Sequence, residues 1–396
     1  MDAALSGLKV LDLSRILAGP WAGQLLADLG AEVVKVEQPG SGDDTRRWGP
    51  PYMSDDRGEP TAESAYFMCA NRGKKSVCID IKSPQGQAKI QALVADADIV
   101  IENFKTGGAQ KYGLDYDRLS SINPRIIYCS ITGFGQTGPY ATRPGYDFLV
   151  QAMGGLMSIT GQADGQAGAG PQKVGVALTD IMTGLYATVG ILAAVNERNR
   201  SGKGQAIDLA LLDVTAATLA NQATNYLVGG QVPERMGNAH PNIVPYQSFQ
   251  TADGYCIFAV GNDSQFTSFV DLLGRPDLAL NPLYVTNKAR VENRQSLIPQ
   301  LEAEVVIQTT EYWIKACEQA GVPAGPINTV DQVFANPQIN ARGMRVQLQH
   351  SLGNTVEVPG NPIKLSRTPV SYDLAPPLLG EHTDEILSEK TPKAGS

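Results

Sequence analysis

The chain has 396 residues, 42% hydrophobic and 18% charged. That apolar share suffices for a sizeable core, and the low charge excludes disorder as the main state. The net charge is −8 and no run of lysine or arginine exceeds two residues, so the clustered basic surface that a nucleic-acid partner requires is not expected.

No apolar run reaches the roughly 18 residues of a membrane span, and no signal peptide or membrane partner is expected. Cys69, Cys78, Cys129, Cys256 and Cys317 are scattered without CxxC spacing. This is the usage of a reducing compartment, so a cytoplasmic location is expected. The three histidines, His240, His350 and His382, lie far apart, and no metal site is expected. At about 150 residues per domain, the length suggests two or three domains.

Along the chain, Leu8–Leu13 is expected as a strand, followed by Pro20 in a first helical turn and a helix over Trp21–Leu29 ended by Gly30. Strands follow at Glu32–Val36 and Ser76–Ile81. Ser83–Pro84 supplies the cap and first turn of a helix to about Ala95, and Ile99–Ile101 and Arg125–Ile131 are further strands. Short apolar strands between helices argue for a parallel sheet covered on both faces. Residues 132–178 are expected as loops with a short helix near Tyr146–Met153. Thr179 is expected to cap a long helix over Asp180–Asn199. Gln205–Leu209 is then a strand and Asp213–Val228 a helix.

Gly229–Pro245 has the composition of a linker. Residues 246–328 are expected as a smaller α+β domain that opens on a hairpin at Ser248–Val260, turning at Asp253–Gly254. The tail after Thr329 has a β-like part, Pro-rich Pro369–Pro377 and a short helix at His382–Glu389.

Several familiar sites are missing. The first strand–helix turn, Ser14–Pro20, has one glycine where a dinucleotide fold wants three. No phosphate-binding G-x-x-x-x-G-K-[ST] and no G-x-S-x-G nucleophile turn occurs.

What remains is an ordered series of short segments. The stretch Leu5–Trp48 carries the AGP turn (Ala18-Gly19-Pro20), LADLGAEVVKVE (Leu26–Glu37) and PGSGDDTR (Pro39–Arg46). NRGKKS (Asn71–Ser76), DIVIENF (Asp98–Phe104), SITGFGQTGP (Ser130–Pro139), GYD (Gly145–Asp147), TDIMTGLYA (Thr179–Ala187), GKGQ (Gly202–Gln205) and LLGEHTDEIL (Leu378–Leu387) follow. Together these resemble the family III CoA-transferases of the CaiB/BaiF type, the formyl-CoA transferase-like enzymes. GDDTRRWGPP, IIYCSITGFGQTGP and NAHPNIVPYQSF resemble the dicarboxylate branch of that family.

The resemblance implies an α/β fold with an open parallel-sheet, Rossmann-like large domain and a smaller α+β domain, in a ring-like interlocked homodimer. The large domain would comprise residues 1–228 and 329–396, and residues 229–328 the linker and small domain. It implies a CoA-transferase that moves CoA from an acyl-CoA donor, succinyl-CoA by default, to a dicarboxylic acid. No metal and no permanently bound cofactor is implied; coenzyme A enters as substrate.

Asp180 matches the family's nucleophile. At the start of a helix its carboxylate is expected to be ionised, since the dipole favours it by ~0.3–1 kcal/mol; an aspartate there is also ordinary capping. Leu17, Ala18, Gln38, the segment Ile79-Asp80-Ile81-Lys82, the segment Asn103-Phe104-Lys105, Lys111, Arg143 and Tyr146 match CoA-contacting positions. Arg15, Arg46 and Arg47 are candidates to hold a distal carboxylate. His240 and Asn242 are candidates to touch the acyl group, in a stretch where the formyl enzyme carries a glycine run.

The fold also resembles that of α-methylacyl-CoA racemases. Their second proton-transfer group, a histidine, falls at Tyr146, and tyrosine is a poor base at neutral pH. A non-catalytic acyl-CoA-binding protein is the other alternative, and the intact motif around Asp180 speaks against it.

Overall fold

The computed structural model describes residues 3–388, which form two compact units. The first takes the chain up to Leu156, then Lys173–Gly230, then the chain from Pro337 on; the second takes Met157–Gln172 and Gln231–Asn336. Residues 157–172 and 329–336 thus group with the smaller unit, against expectation. Gly161 accepts from the Gly237 amide (3.0 Å), the Gln162 carbonyl accepts from Arg235 (3.3 Å), and Asp164 pairs with Arg235. These long-range bonds outweigh chain proximity.

In the first unit β1 (Lys9–Asp12), α1 (Ala18–Asp28), β2 (Glu32–Glu37), β3 (Lys74–Cys78), α2 (Pro84–Val94), β4 (Ile99–Glu102), β5 (Ile127–Thr132), α3 (Asp147–Met153), α4 (Leu178–Ser201) and β6 (Gln205–Ala210) build one sheet and its layers. All six strands run parallel in the order β3-β2-β1-β4-β5-β6. Strand period two sorts the side chains. Val10, Ile99, Ile101, Ile127 and Ile131 pack on Ala22 and Leu26 of α1 and on Ala187 and Ile191 of α4. Leu11, Val34, Val77 and Val100 pack on Ile90 and Val94 of α2 from the other face. Burial on both faces explains why the inner strands β4 and β5 are apolar without alternation.

Several elements depart from expectation. β3 starts at Lys74 rather than Ser76, because the register with β2 runs from Val33↔Lys74 to Glu37↔Cys78. Two lysines argue against a buried strand in sequence, yet Lys74 is wholly buried and paired with Asp12 (2.9 Å). The expected helix over 213–228 is two helices, Leu211–Thr218 and Ala220–Gly229, with Ala220 at a φ of 47°. A hairpin of Tyr52–Ser54 and Pro60–Ser64 was not expected. The C-terminal helix covers Thr383–Ser388; Glu389 lies outside the described residues.

The second unit holds the expected hairpin, Tyr246–Gln250 with Tyr255–Ala259, extended by Ala324–Pro326. Phe249, Phe258, Phe269 and Trp313 form its core.

Charges are buried beneath the carboxyl ends of the strands. Lys35 of β2 pairs with Asp43 at 2.9 Å, both side chains without exposure. Arg46 grips Glu37 through two bonds of 2.8 Å, reaches Glu63 at 2.9 Å and the Pro377 carbonyl at 3.0 Å, and lies over the Phe67 ring. Arg46 is therefore not free to bind a distal carboxylate: its donors are committed to the fold. Arg46→Met should leave Glu63 without a counter-ion and Glu37 with only the more distant Lys35. We expect a loss of about 3–5 kcal/mol, read from the urea unfolding midpoint.

Candidate active site

Strand order reverses between β1 and β4, and in open α/β sheets a crevice forms at that point beyond the carboxyl ends. Here the loops that leave the two strands are laced together. The Arg15 amide donates to Asn103 Oδ1 (2.9 Å), and Asn103 Nδ2 donates to the Arg15 carbonyl (2.7 Å).

Two cavities open on either side of this lacing. One, of about 310 Å³, is lined by Arg15, Leu17, Ala18, Asn103, Phe104, Lys105, Arg143, Tyr146 and Asp180, among others. The other, of about 370 Å³, is lined by Arg15, Gln38, Ile79, Ile81, Lys82, Phe104 and Tyr112 among others. Arg15 and Phe104 border both, so the cavities form one trough along the end of the sheet.

The trough gathers most of the residues expected to contact CoA. Asp80 and Lys111 stand outside its lining. Asp80 Oδ1 accepts from the Lys82 amide (3.0 Å) and so shapes the turn, and the Lys111 ammonium lies 5.7 Å from the Tyr112 ring centre. Arg47 is 65% exposed, faces Asp44 at 3.8 Å, and lines neither cavity. Arg15 is the arginine of the three that does line them, with its guanidinium 2.8 Å from Asp44. His240 and Asn242 belong to the second unit, where His240 Nδ1 accepts from the Asn242 amide (3.0 Å). Arg294 holds the carbonyls of His240 (3.2 Å) and Pro241 (2.7 Å). The stretch is thus pinned rather than a loose glycine run.

Asp180 sits in the first turn of α4 and is 8% exposed. Thr179 does not cap this helix, contrary to expectation. Its hydroxyl bonds that of Thr215 (3.0 Å), and the cap comes from another helix: Asp147 Oδ2 accepts from the amides of Thr179 (2.9 Å) and Asp180 (3.3 Å). Local sequence could not show this, because the cap lies 32 residues upstream of Thr179.

Burial, and then the charge of Asp147, raise the Asp180 pKa from 3.8 to about 7. The expectation of a fully ionised carboxylate is corrected. A shift of this size is worth on the order of 4 kcal/mol, well above the helix-dipole contribution. Tyr66, which sequence did not single out, is pushed up to about 12 by burial, then by Cys69, Asp180 and Asp147. Its ring meets Trp48 edge-on at 5.2 Å. Two glycines bring the loop of Arg143 and Tyr146 into place: a Cβ on Gly133 would lie 2.6 Å from the Gly145 Cα. Among the described residues no group of three or more His, Cys, Asp or Glu is placed to hold a metal ion.

The raised pKa has a consequence for stability. Between about pH 4 and pH 7 the unfolded chain ionises Asp180 while the folded chain keeps its proton, so the cost to folding grows with pH and levels off above about 7. Asp180→Asn should therefore stabilise the protein, and by more at pH 8 than at pH 5, as measured by thermal or urea unfolding at the two pH values.

Comparison with known proteins fits this geometry. The sequence model of CoA-transferase family III matches residues 5–383. A succinate–glutarate CoA-transferase of Agrobacterium fabrum is 52% identical over 97% of this chain and 95% of its own length. A succinyl-CoA:glutarate CoA-transferase of Homo sapiens is 45% identical over 97% of this chain and 85% of its own. The crystal structure of a CAIB/BAIF family protein from Brucella suis superposes with a TM-score of 0.86 at 51% identity, covering 99% of this chain and all of that one. Matched from just before β1 to the start of the C-terminal helix, the chain belongs to CoA-transferase family III and is an enzyme of that type.

Proposed function

We propose that the enzyme transfers CoA from succinyl-CoA to a dicarboxylic acid of the glutarate type, with Asp180 as the covalent carrier. The observation that carries this reading is a buried carboxylate at the floor of a trough lined by the expected CoA-contacting residues. The substrates named for the relatives, succinyl-CoA and glutarate, support the donor and acceptor.

A thioester is already activated, so a carboxylate suffices as nucleophile. Asp180 attacks the succinyl carbonyl, the C–S bond breaks, and CoA thiolate leaves a mixed anhydride. The thiolate then attacks the Asp180 carbonyl, succinate departs, and CoA is held as an aspartyl thioester. The acceptor carboxylate attacks that thioester, thiolate is again expelled, and it closes on the acceptor's carbonyl. Asp180 emerges as a carboxylate, with no net proton change.

The burial of Asp180 serves this sequence. Desolvation and Asp147 penalise its charged form, whereas the anhydride and the thioester at Asp180 carry no charge there. The covalent states escape the penalty that the free carboxylate bears, which favours attack. CoA would run along the trough, past Leu17, Ala18, Asn103 and Phe104 towards Gln38, Ile79 and Lys82. Of the cations lining the cavity of Asp180, Arg15 is paired with Asp44. Lys105 and Arg143 have no carboxylate partner among the described residues, and are available to anionic ligand groups.

We also place the enzyme in the cytoplasm, which the five free cysteines support. An interlocked homodimer is supported by apolar side chains left open on α3 and α4, including Phe148, Leu149, Tyr186 and Val189, the last 64% exposed. Sedimentation equilibrium should give the mass of two chains; the mass of one would contradict the dimer.

The decisive test is chemical. The enzyme should convert succinyl-CoA and glutarate to glutaryl-CoA and succinate. With succinyl-CoA alone, it should gain the mass of coenzyme A less water on Asp180. Asp180→Ala should keep the fold by circular dichroism and lose both turnover and adduct. Normal turnover by that variant would end the assignment.

A further inference from the structure

Ile16, in the loop between β1 and α1, has a φ of 74°. This left-handed conformation is rare for a β-branched residue, and such strain persists only where the surroundings impose it. Here they do. The Ile16 amide donates to both oxygens of Asp43, at 3.2 Å each. Asp43 is held by Lys35 (2.9 Å), and neither side chain is exposed. Lys35 Nζ also donates to the Ser14 carbonyl (2.9 Å), and Asn103 holds Arg15 from both sides. Residues 14, 15 and 16 are each tied down separately.

The backbone that follows this strained residue is the start of α1. Pro20 has no N–H, and the Trp21 amide donates to the Leu17 carbonyl (2.7 Å). The amides of Leu17, Ala18 and Gly19 have no acceptor among the described residues. Leu17 and Ala18 line the same cavity as Asp180. Two glycines make the approach close. A Cβ on Gly184, one turn beyond Asp180, would lie 2.7 Å from the Ala18 carbonyl oxygen. A Cβ on Gly19 would lie 2.2 Å from Ser14 Oγ.

We infer that the buried Lys35–Asp43 pair is a positioning device for the transfer reaction: it holds Ile16 at positive φ, so that the Leu17 and Ala18 amides face the carbonyl under attack at Asp180. This rests on the reading of Asp180 as the nucleophile. Each addition in that sequence places negative charge on a carbonyl oxygen. Donors fixed in advance stabilise that charge without reorganisation. Released from Asp43, Ile16 relaxes to negative φ and the amides after it swing away.

The test is a pair of variants assayed below their melting temperatures, with folding confirmed by circular dichroism. Asp43→Asn should lower kcat by about 100-fold and leave KM for succinyl-CoA little changed. Adding Ile16→Gly to that variant should recover kcat by about tenfold, because glycine takes positive φ without a clamp. A purely structural role for Asp43 predicts no such rescue. If Asp43→Asn does not fold, Ile16→Pro carries the test, since proline enforces negative φ and leaves the ion pair intact; the same loss of kcat is expected. Wild-type kcat in folded Asp43→Asn or Ile16→Pro, or no rescue by Ile16→Gly, would overturn the inference. Failure of the Asp180 reading shows separately, as a wild-type enzyme that forms no CoA adduct.

Discussion

The Asp12–Lys74 ion pair ties together the part of the fold on which the site depends. Both side chains are wholly buried and 2.9 Å apart. Lys74 also donates to the Pro20 carbonyl (2.8 Å) and to Asn71 Oδ1 (2.9 Å), so its three protons are all used. One lysine on β3 thereby fixes the end of β1 and the first turn of α1. Burial, together with the nearby charge of Lys35, lowers the Lys74 pKa to about 8 against the pull of Asp12. Burial opposes the Asp12 carboxylate too, but Lys74, Lys35 and Ser14 more than offset it and its pKa is lowered. Pairs of this kind add little net stability compared with apolar packing, but breaking one is costly.

The contrast with Asp180 sets that carboxyl apart from the frame. Asp12, Glu37 and Asp43 are buried beside cations, and their pKa values fall despite burial. Asp180 is buried beside another carboxylate, and its pKa rises. The first group is built to stay charged and hold the frame. Asp180 sits where its charge is disfavoured. Burying a carboxylate beside another carboxylate costs stability, whereas the frame carboxylates are each buried beside a cation.

Much of the first unit was legible in sequence because it is locally encoded. The apolar runs at 9–12, 32–37, 99–102 and 127–132 became parallel strands, and Ser83 with Pro84 capped α2 as expected, its hydroxyl accepting from the Gly86 amide at 3.0 Å. Motif order pointed to Asp180 and to most residues of the trough. The failures share a cause. Lys74, Lys35 and Arg46 look like surface residues, and only the carboxylates that the fold turns towards them allow their burial. Thr179 looks like a helix cap, and Asp147 takes that role from another helix. Tyr66 carries no motif signal at all.

By itself, then, the sequence determined the alternation of strand and helix, the two-sided burial of the sheet, the family likeness and the identity of the candidate nucleophile. Those features are written in residues near one another, or in motifs that keep their order. Tertiary structure alone decided which charged side chains are frame and which face the trough, how far the Asp180 carboxyl departs from an ordinary acid, and why an isoleucine is held at positive φ. These depend on desolvation and on charges brought together by the fold from separate elements of the chain, and no local pattern encodes either.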